Sequence, residues 1–574
     1  MSFELIHPFK SISALWNDGH IPSRYEGHSG KLSLQKVRYL DEYLDKLGAK
    51  TAIVEHEYVD RNFMDDFCGY YARCFTSYPK KCERIHFFSL DFSTEELKKG
   101  VLNTDAELRK NICSHYLGFI VIRPVPGAHF GRVCLATYPP ESGKCRIFPV
   151  LKSHEVHFQG LPLFVNTVAF QEQDNVISAC ATSAVWSALH AVREIGLHNV
   201  PSSFRITSNA KRIYQDISDV NVLEKGLTPA QMSAAITEEG YEPLLTSFSL
   251  MSRFKALARA YLNVGLPLIL GVTLAHENEE KYSKEQGQNP VIGQHAVSVM
   301  GYNMADTRIK PFNQGPVDPG TPPLYLLSSA INKFYVHDDQ VGPFASMLSR
   351  DEYWERLETH WNYYTNKEDK INAVINTVLI PCFKKIRIRF PIIENFVRSC
   401  NTLFAGAYKT EKSHLMWDIR LYSVNDFKAE VAEKESRSID DEEVRYKLLC
   451  MKLPRFIWVA DALCMISESQ KEDQKERSMI MAPVATYILD ATDMDRSDYF
   501  LCGYHYTQLS FALFRAMLES RSKEEREGFL EKRQSAQLVL QSLMEAYLNA
   551  DTEKVLLPAD APITLDQYVE KLTS

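Results

Sequence analysis

Three side chains in the middle of the chain have the types and order needed for nucleophilic chemistry at a carbonyl. Cys180 stands in residues 171–196, QEQDNVISACATSAVWSALHAVREIG. From Ser178 onward the spacing of Val185, Leu189, Val192 and Ile195 predicts a helix with one apolar stripe. With Ser178 as N-cap, Cys180 falls in the first turn, where unpaired N–H groups and the positive end of the dipole favour a thiolate over a thiol. A first-turn cysteine standing alone is more often structural, so its neighbours in the fold decide its role.

Two segments downstream supply them. Residues 265–272 (GLPLILGV) have the pattern of a buried strand, and after a charged, Gln/Asn-rich loop at 276–290 comes a second one, QHAVSVMGYN at 294–303. This places His295 at the head of a strand, at a sheet end from which its ring can reach a helix N-terminus. Residues 333–342, KFYVHDDQVG, predict a short strand ending in an acidic turn. A carboxylate there, Asp338 or the adjacent Asp339, can orient an imidazole and stabilise its charged form. Alternation along the strand turns His337 to the face opposite Asp338 and gives it no catalytic role.

The order helix-borne Cys, strand-borne His, then Asp excludes a caspase-type arrangement, in which His precedes Cys. It resembles the papain-like superfamily, and most closely the bacterial cysteine peptidases of the C39-like type. The resemblance spans about residues 170–350 and is carried by QD-x4-ACATSAVWSALH, by GLTPAQM at 226–232 and by the HAVSVMGY strand. It implies a papain-like domain in which a helix bearing Cys packs on an antiparallel sheet bearing His and Asp. It further implies Cys180 as nucleophile, His295 as general base, Asp338 (or Asp339) as orienting acid, and an upstream Gln as oxyanion donor. The candidate is Gln173, seven residues before Cys180 where the family spacing is usually six, with Gln171 as the fallback. No cofactor and no metal is implied.

The rest of the chain frames this core. Its 574 residues carry 65 Lys+Arg against 73 Asp+Glu, a formal balance of −8, with 45% apolar and 24% charged residues. That is globular composition without a basic tract, which argues against nucleic-acid binding. No Walker A loop or strand-borne GxGxxG supports nucleotide use. The first 16 residues do not read as a signal peptide, and the most apolar stretch, 261–275, is shorter than the roughly 20 residues of a membrane span. The 12 cysteines include no CxxC pair, so a reducing, cytoplasmic setting is expected and structural zinc is not.

The expected fold class is α+β, with three regions: 1–165, N-terminal and regulatory; 166–365, the peptidase domain, interrupted by a Pro/Gly-rich insertion at 305–323; and 366–574, for recognition or regulation. In the first, 33–47 predicts a helix, 117–125 a strand, and 154–170 two extended segments with a turn near Gly160. In the last, strands are expected at 386–390, 417–424, 456–460, 484–489 and 500–506, then helix from Leu509. The expected function is an intracellular cysteine protease that cleaves peptide or isopeptide bonds through a thioester. Its partners would be a protein or peptide substrate and a regulatory protein, without nucleic acid or membrane. A protease in that compartment needs a controlled site, which points to stress response or phage defence. The alternatives are a transglutaminase-like acyltransferase with the same triad, and an inactive papain-like scaffold.

Overall fold

The computed structural model describes residues 3–22, 34–125, 127–139, 145–174, 179–192, 200–212, 226–247, 250–276, 291–304, 312, 322–349, 356–363, 370–404, 413–433, 442–467, 479–493, 499–506 and 555–556. The fold is mixed α+β, and its sheets are built almost wholly of antiparallel pairs. The chain divides into two compact units. One comprises Met1–Met251, Gly265–Met304 and Asn332–Cys382; the other comprises Ser252–Val264, Ala305–Ile331 and Phe383–Ser574.

The first unit begins with a six-stranded sheet in the order Phe3–Ile6, Thr51–Tyr58, Cys82–Phe88, Tyr116–Ile122, Phe130–Leu135, Phe170–Gln171. Every residue of Cys82–Phe88 is buried, as expected for a strand covered on both faces. A separate hairpin joins Lys152–Phe158 to Leu161–Thr167. Its two-residue turn, Gln159-Gly160, has positive φ at both positions, the backbone that suits the twist of paired strands. Leu161, Leu163 and Val165 point inward and the residues between them outward.

The second sheet of this unit closes on itself. Ile371–Cys382 pairs with Leu268–His276 on one edge; on the other it pairs with Arg356–Glu358 through residues 372–374 and with Glu242–Ser247 through residues 377–382. From Leu268–His276 the order continues through Val291–Met304, Ile331–Asp338, Gly342–Ser349 and Arg356–Glu358. The path therefore returns to its starting strand, and six strands enclose a barrel. The helix Cys180–Ala191 lies against Val291–Met304, tied to it by the Ser298 hydroxyl donating to the Ala184 carbonyl at 2.6 Å. A single apolar core runs from Phe63 of the helix Arg61–Gly69 and Val121 of the first sheet through Trp186 of the cysteine helix to Ile269, Ala296 and Leu379 of the barrel.

That shared core corrects the expected boundaries at 165 and 365. Cys145–Ile147 pairs with residues 302–304 of the barrel, Phe130–Leu135 pairs with Phe170–Gln171, and Ile371–Cys382 is the strand that closes the barrel. Neither sheet would be complete if the chain were cut at those positions.

In the second unit, Ser413–Ser423, Phe456–Ser467, Met479–Asp490, Phe500–His505 and Val555–Leu556 form one sheet in that order. The helix Phe390–Phe404 covers one face, where Phe396 meets Tyr487 and the Trp417 indole donates to Asn401. The helices Val424–Ala432 and Glu442–Cys450 cover the other through Phe427, Val431, Val444 and Leu448. The strand expected at 386–390 is irregular chain instead. The Arg387 and Ile388 N–H groups both bond to the Ala491 carbonyl, and Pro391 then opens the helix. The helix expected from Leu509, the loop at 277–290 and most of the insertion at 305–323 lie outside the described residues. Among the described residues no helix is long and apolar enough to cross a membrane.

Candidate active site

Cys180 is the first residue of its helix, and Ala181 to Ala191 behind it are all buried. A helix this apolar sits in the middle of the unit and fixes where its N-terminus points. Ala179 takes the N-cap position and offers no side chain for the first-turn N–H groups; the expected cap, Ser178, lies outside the described residues. The thiol is half-buried.

His295 comes from Val291–Met304, the strand against which this helix packs. It is the fifth residue of that strand rather than its leader. Residues 291–294 extend past the packed part of the sheet, and continuous burial begins at His295. The sequence boundary was displaced because exposed strand residues carry no burial signal. Asp338 ends the neighbouring strand, Ile331–Asp338, and the chain turns through Asp339, Gln340 and Val341 into Gly342–Ser349.

The structure brings these groups together. The His295 Nε2 lies 2.9 Å from Asp338 Oδ1, and both residues are buried. The Cys180 side chain is within hydrogen-bonding reach of the same imidazole. With Nε2 committed to the carboxylate, Nδ1 is the nitrogen left for the sulfur. Burial opposes charge on the ring, but the Asp338 carboxylate, its hydrogen bond and Cys180 outweigh it, and the His295 pKa stands well above its usual value. Asp338 is held below the usual carboxylate range although burial works against it. The charge and hydrogen bond of His295, the Trp361 indole and the Gln340 N–H all favour its ionised form.

Geometry also separates the two aspartates. Asp339 Oδ1 lies 3.6 Å from His295 Nε2, beyond hydrogen-bond distance. His295, Asp338 and Asp339 present ligand atoms within 4.8 Å of one another. A cation placed among them would have to break the bond between His295 and Asp338, so the set reads as a hydrogen-bonded acid–imidazole cluster and not as a metal centre.

No protein-family model matches the chain, and no curated protein matches it in sequence.

The glutamines behave differently from each other. Gln171 donates to the Ser203 hydroxyl at 3.0 Å and is buried in packing, which removes the fallback oxyanion donor. Gln173 is half-buried between two anchored acids: Glu172, paired with Lys36, and Asp174, which accepts from the Tyr71 hydroxyl. Among the described residues no hydrogen bond ties Gln173 to Cys180 or His295, so its role rests on its place in the chain. His337 packs edge-on against Phe170 and Phe344, and burial takes its pKa down to about 3. It is a neutral core residue.

Trp361 escaped the sequence. Its indole donates to Asp338 Oδ2 at 2.9 Å, and its ring packs edge-on against His295 at 5.6 Å between centroids. A tryptophan 23 residues beyond the acid, past two intervening strands, follows no spacing rule. The arrangement supplies a nucleophile, a base held in one orientation, and an acid whose second oxygen is also occupied, which is the equipment for acyl transfer through sulfur.

Proposed function

We propose that Cys180, His295 and Asp338 form the active site of a papain-like cysteine peptidase of the C39-like type, cleaving peptide or isopeptide bonds in a protein substrate. The observation that supports it most is the bond from His295 Nε2 to Asp338, with the Cys180 thiol on the same ring. In this mechanism His295 takes the thiol proton while Asp338 accepts from Nε2 and holds the ring orientation. The sulfur attacks the scissile carbonyl, and the Cys180 N–H, with Gln173, stabilises the oxyanion. His295 then protonates the leaving amine. Water, deprotonated by His295, attacks the thioester and releases the acid. The chemistry needs neither metal nor cofactor. A cytoplasmic setting is part of the proposal: the exposed thiols Cys68, Cys145 and Cys450 form no disulfide.

Brief exposure to iodoacetamide followed by peptide mass mapping tests the proposal. Cys180 should be labelled at least about tenfold faster than the exposed Cys68 at neutral pH, and His295→Ala should remove that advantage. Equal labelling of the two thiols in the wild-type protein would sink it.

A further inference from the structure

One buried acid beside this site has no task in the mechanism above. Asp339 is 3% exposed. Its Oδ2 accepts a hydrogen bond from the Gln340 side chain at 3.2 Å, whereas Oδ1, the oxygen facing His295, accepts none among the described residues. A carboxylate oxygen left in this way is costly unless a charge or a proton compensates it. The charges around it come from three elements. His295 is on the neighbouring strand, Asp338 precedes it, and the Lys36 charge, on the helix Leu34–Lys46 and paired with Glu172, acts on it through space. His360, which faces Asp338, is held neutral at neutral pH because burial takes its pKa down to about 4.

We propose that Asp339 is a positioning residue, a second carboxylate on the base that strengthens the charged form of His295 when ionised and withdraws that support when protonated. The inference rests on the peptidase assignment above. Ionised Asp339 and ionised Asp338 act on one ring nitrogen, so both favour the imidazolium, and Asp338 alone carries the hydrogen bond. Burial and the neighbouring Asp338 charge, set against His295 and Lys36, push the pKa of Asp339 up to about 6. The sign follows. As pH falls through this value Asp339 becomes neutral, one of two negative charges leaves the ring, and the thiolate–imidazolium pair weakens while Asp338 remains ionised.

The readout is the pH profile of Cys180 alkylation by iodoacetamide in the full-length protein. The wild type should lose reactivity as pH drops through about 6. Asp339→Asn should lack that inflection and react at pH 7.5 at about the reduced rate that the wild type shows below it, and Asp339→Glu should restore both the inflection and the rate above it. Gln340→Leu removes the side-chain donor to Asp339 Oδ2 and keeps the backbone N–H that bonds to Asp338, so its inflection should move to higher pH; it serves if Asp339→Asn fails to fold. An unchanged profile in Asp339→Asn, or an unmoved inflection in Gln340→Leu, overturns the proposal. If Cys180 depends on His295 yet either result is found, only the role of Asp339 falls. If wild-type Cys180 reacts no faster than Cys68, the peptidase assignment falls and this inference falls with it.

Discussion

At the scale of single residues, the acid is the most heavily engaged member of the site. Asp338 bonds to His295, to the Trp361 indole and to the Gln340 N–H. Trp361→Phe keeps the ring against His295 and deletes one donor to a buried carboxylate. A hydrogen bond to a charged group contributes about 1.5–3 kcal/mol, so Asp338 should become easier to protonate and hold the imidazolium less firmly. Cys180 alkylation should slow by about tenfold near neutral pH, and the urea midpoint should fall by an amount that matches the lost bond. A rate equal to wild type would mean that the indole only fills space. The triad was legible because Cys, His and Asp are chemically distinct residues, each next to a strong periodic pattern. The choice between Asp338 and Asp339 was not, since two adjacent carboxylates differ only in where the turn aims them. Trp361 and Lys36 were invisible for a related reason: each acts on the site from another element, one by a hydrogen bond and one by its charge, and no local pattern records such a relation.

At the scale of elements, the strands and helices with clear periodicity were readable. The expected helix at 33–47 is Leu34–Lys46, and the turn at Gly160 sits between two paired strands. The GLTPAQM segment became a helix start, with Thr228 and Gln231 forming a reciprocal cap and Pro229 in the first turn. The run at 386–390 misled because alternating Ile and Arg imitate a strand, whereas the N–H groups of Arg387 and Ile388 are already bonded to Ala491. The acidic turn depends on a contact that periodicity does not encode. Gly342 pairs with Asp338 across the turn at positive φ, and a Cβ there would stand 2.4 Å from the Tyr39 ring. Tyr39 is fixed in turn by its hydroxyl, which donates to the Pro343 carbonyl at 2.6 Å. Gly342→Ala combines backbone strain with a clash against a buried ring and should cost about 3 kcal/mol, lowering the denaturant midpoint and slowing Cys180 alkylation together. Tyr39→Ala should relieve part of that loss in the double variant, because the two sites touch. Additive losses would show that the ring is not the obstacle.

At the scale of the whole molecule, the sequence suggested a catalytic middle with two flanks for regulation or recognition, and this is where it was least informative. Local patterns do not record which strands pair across a hundred residues. Residues 1–165 contain five of the six strands of the first sheet, the strand that pairs with residues 302–304, and Lys36, which neutralises the buried Glu172 next to Gln173. Removing them would uncover Trp186 and the apolar face around it and would leave Glu172 as an unpaired buried charge, each a change of several kcal/mol against a typical total stability of about 5–15 kcal/mol. The C-terminal side is no more separable. The helix Met251–Asn263 enters the second unit long before residue 383, and Arg259 on it makes a two-toothed ion pair with Asp418. Fragments 166–574 and 1–382 should therefore both fail to give a cooperative thermal transition, whereas the full chain should give one. The matching check is proteolysis: trypsin should spare sites within the described strands of the intact protein and digest both fragments throughout. A stable, cooperative 166–574 fragment with a reactive Cys180 would make the N-terminal flank detachable and require the first sheet to be dispensable for placing the cysteine helix. If both fragments unfold, control of the site has to be sought within the intact fold, at positions such as Asp339, and not in the removal of a flank.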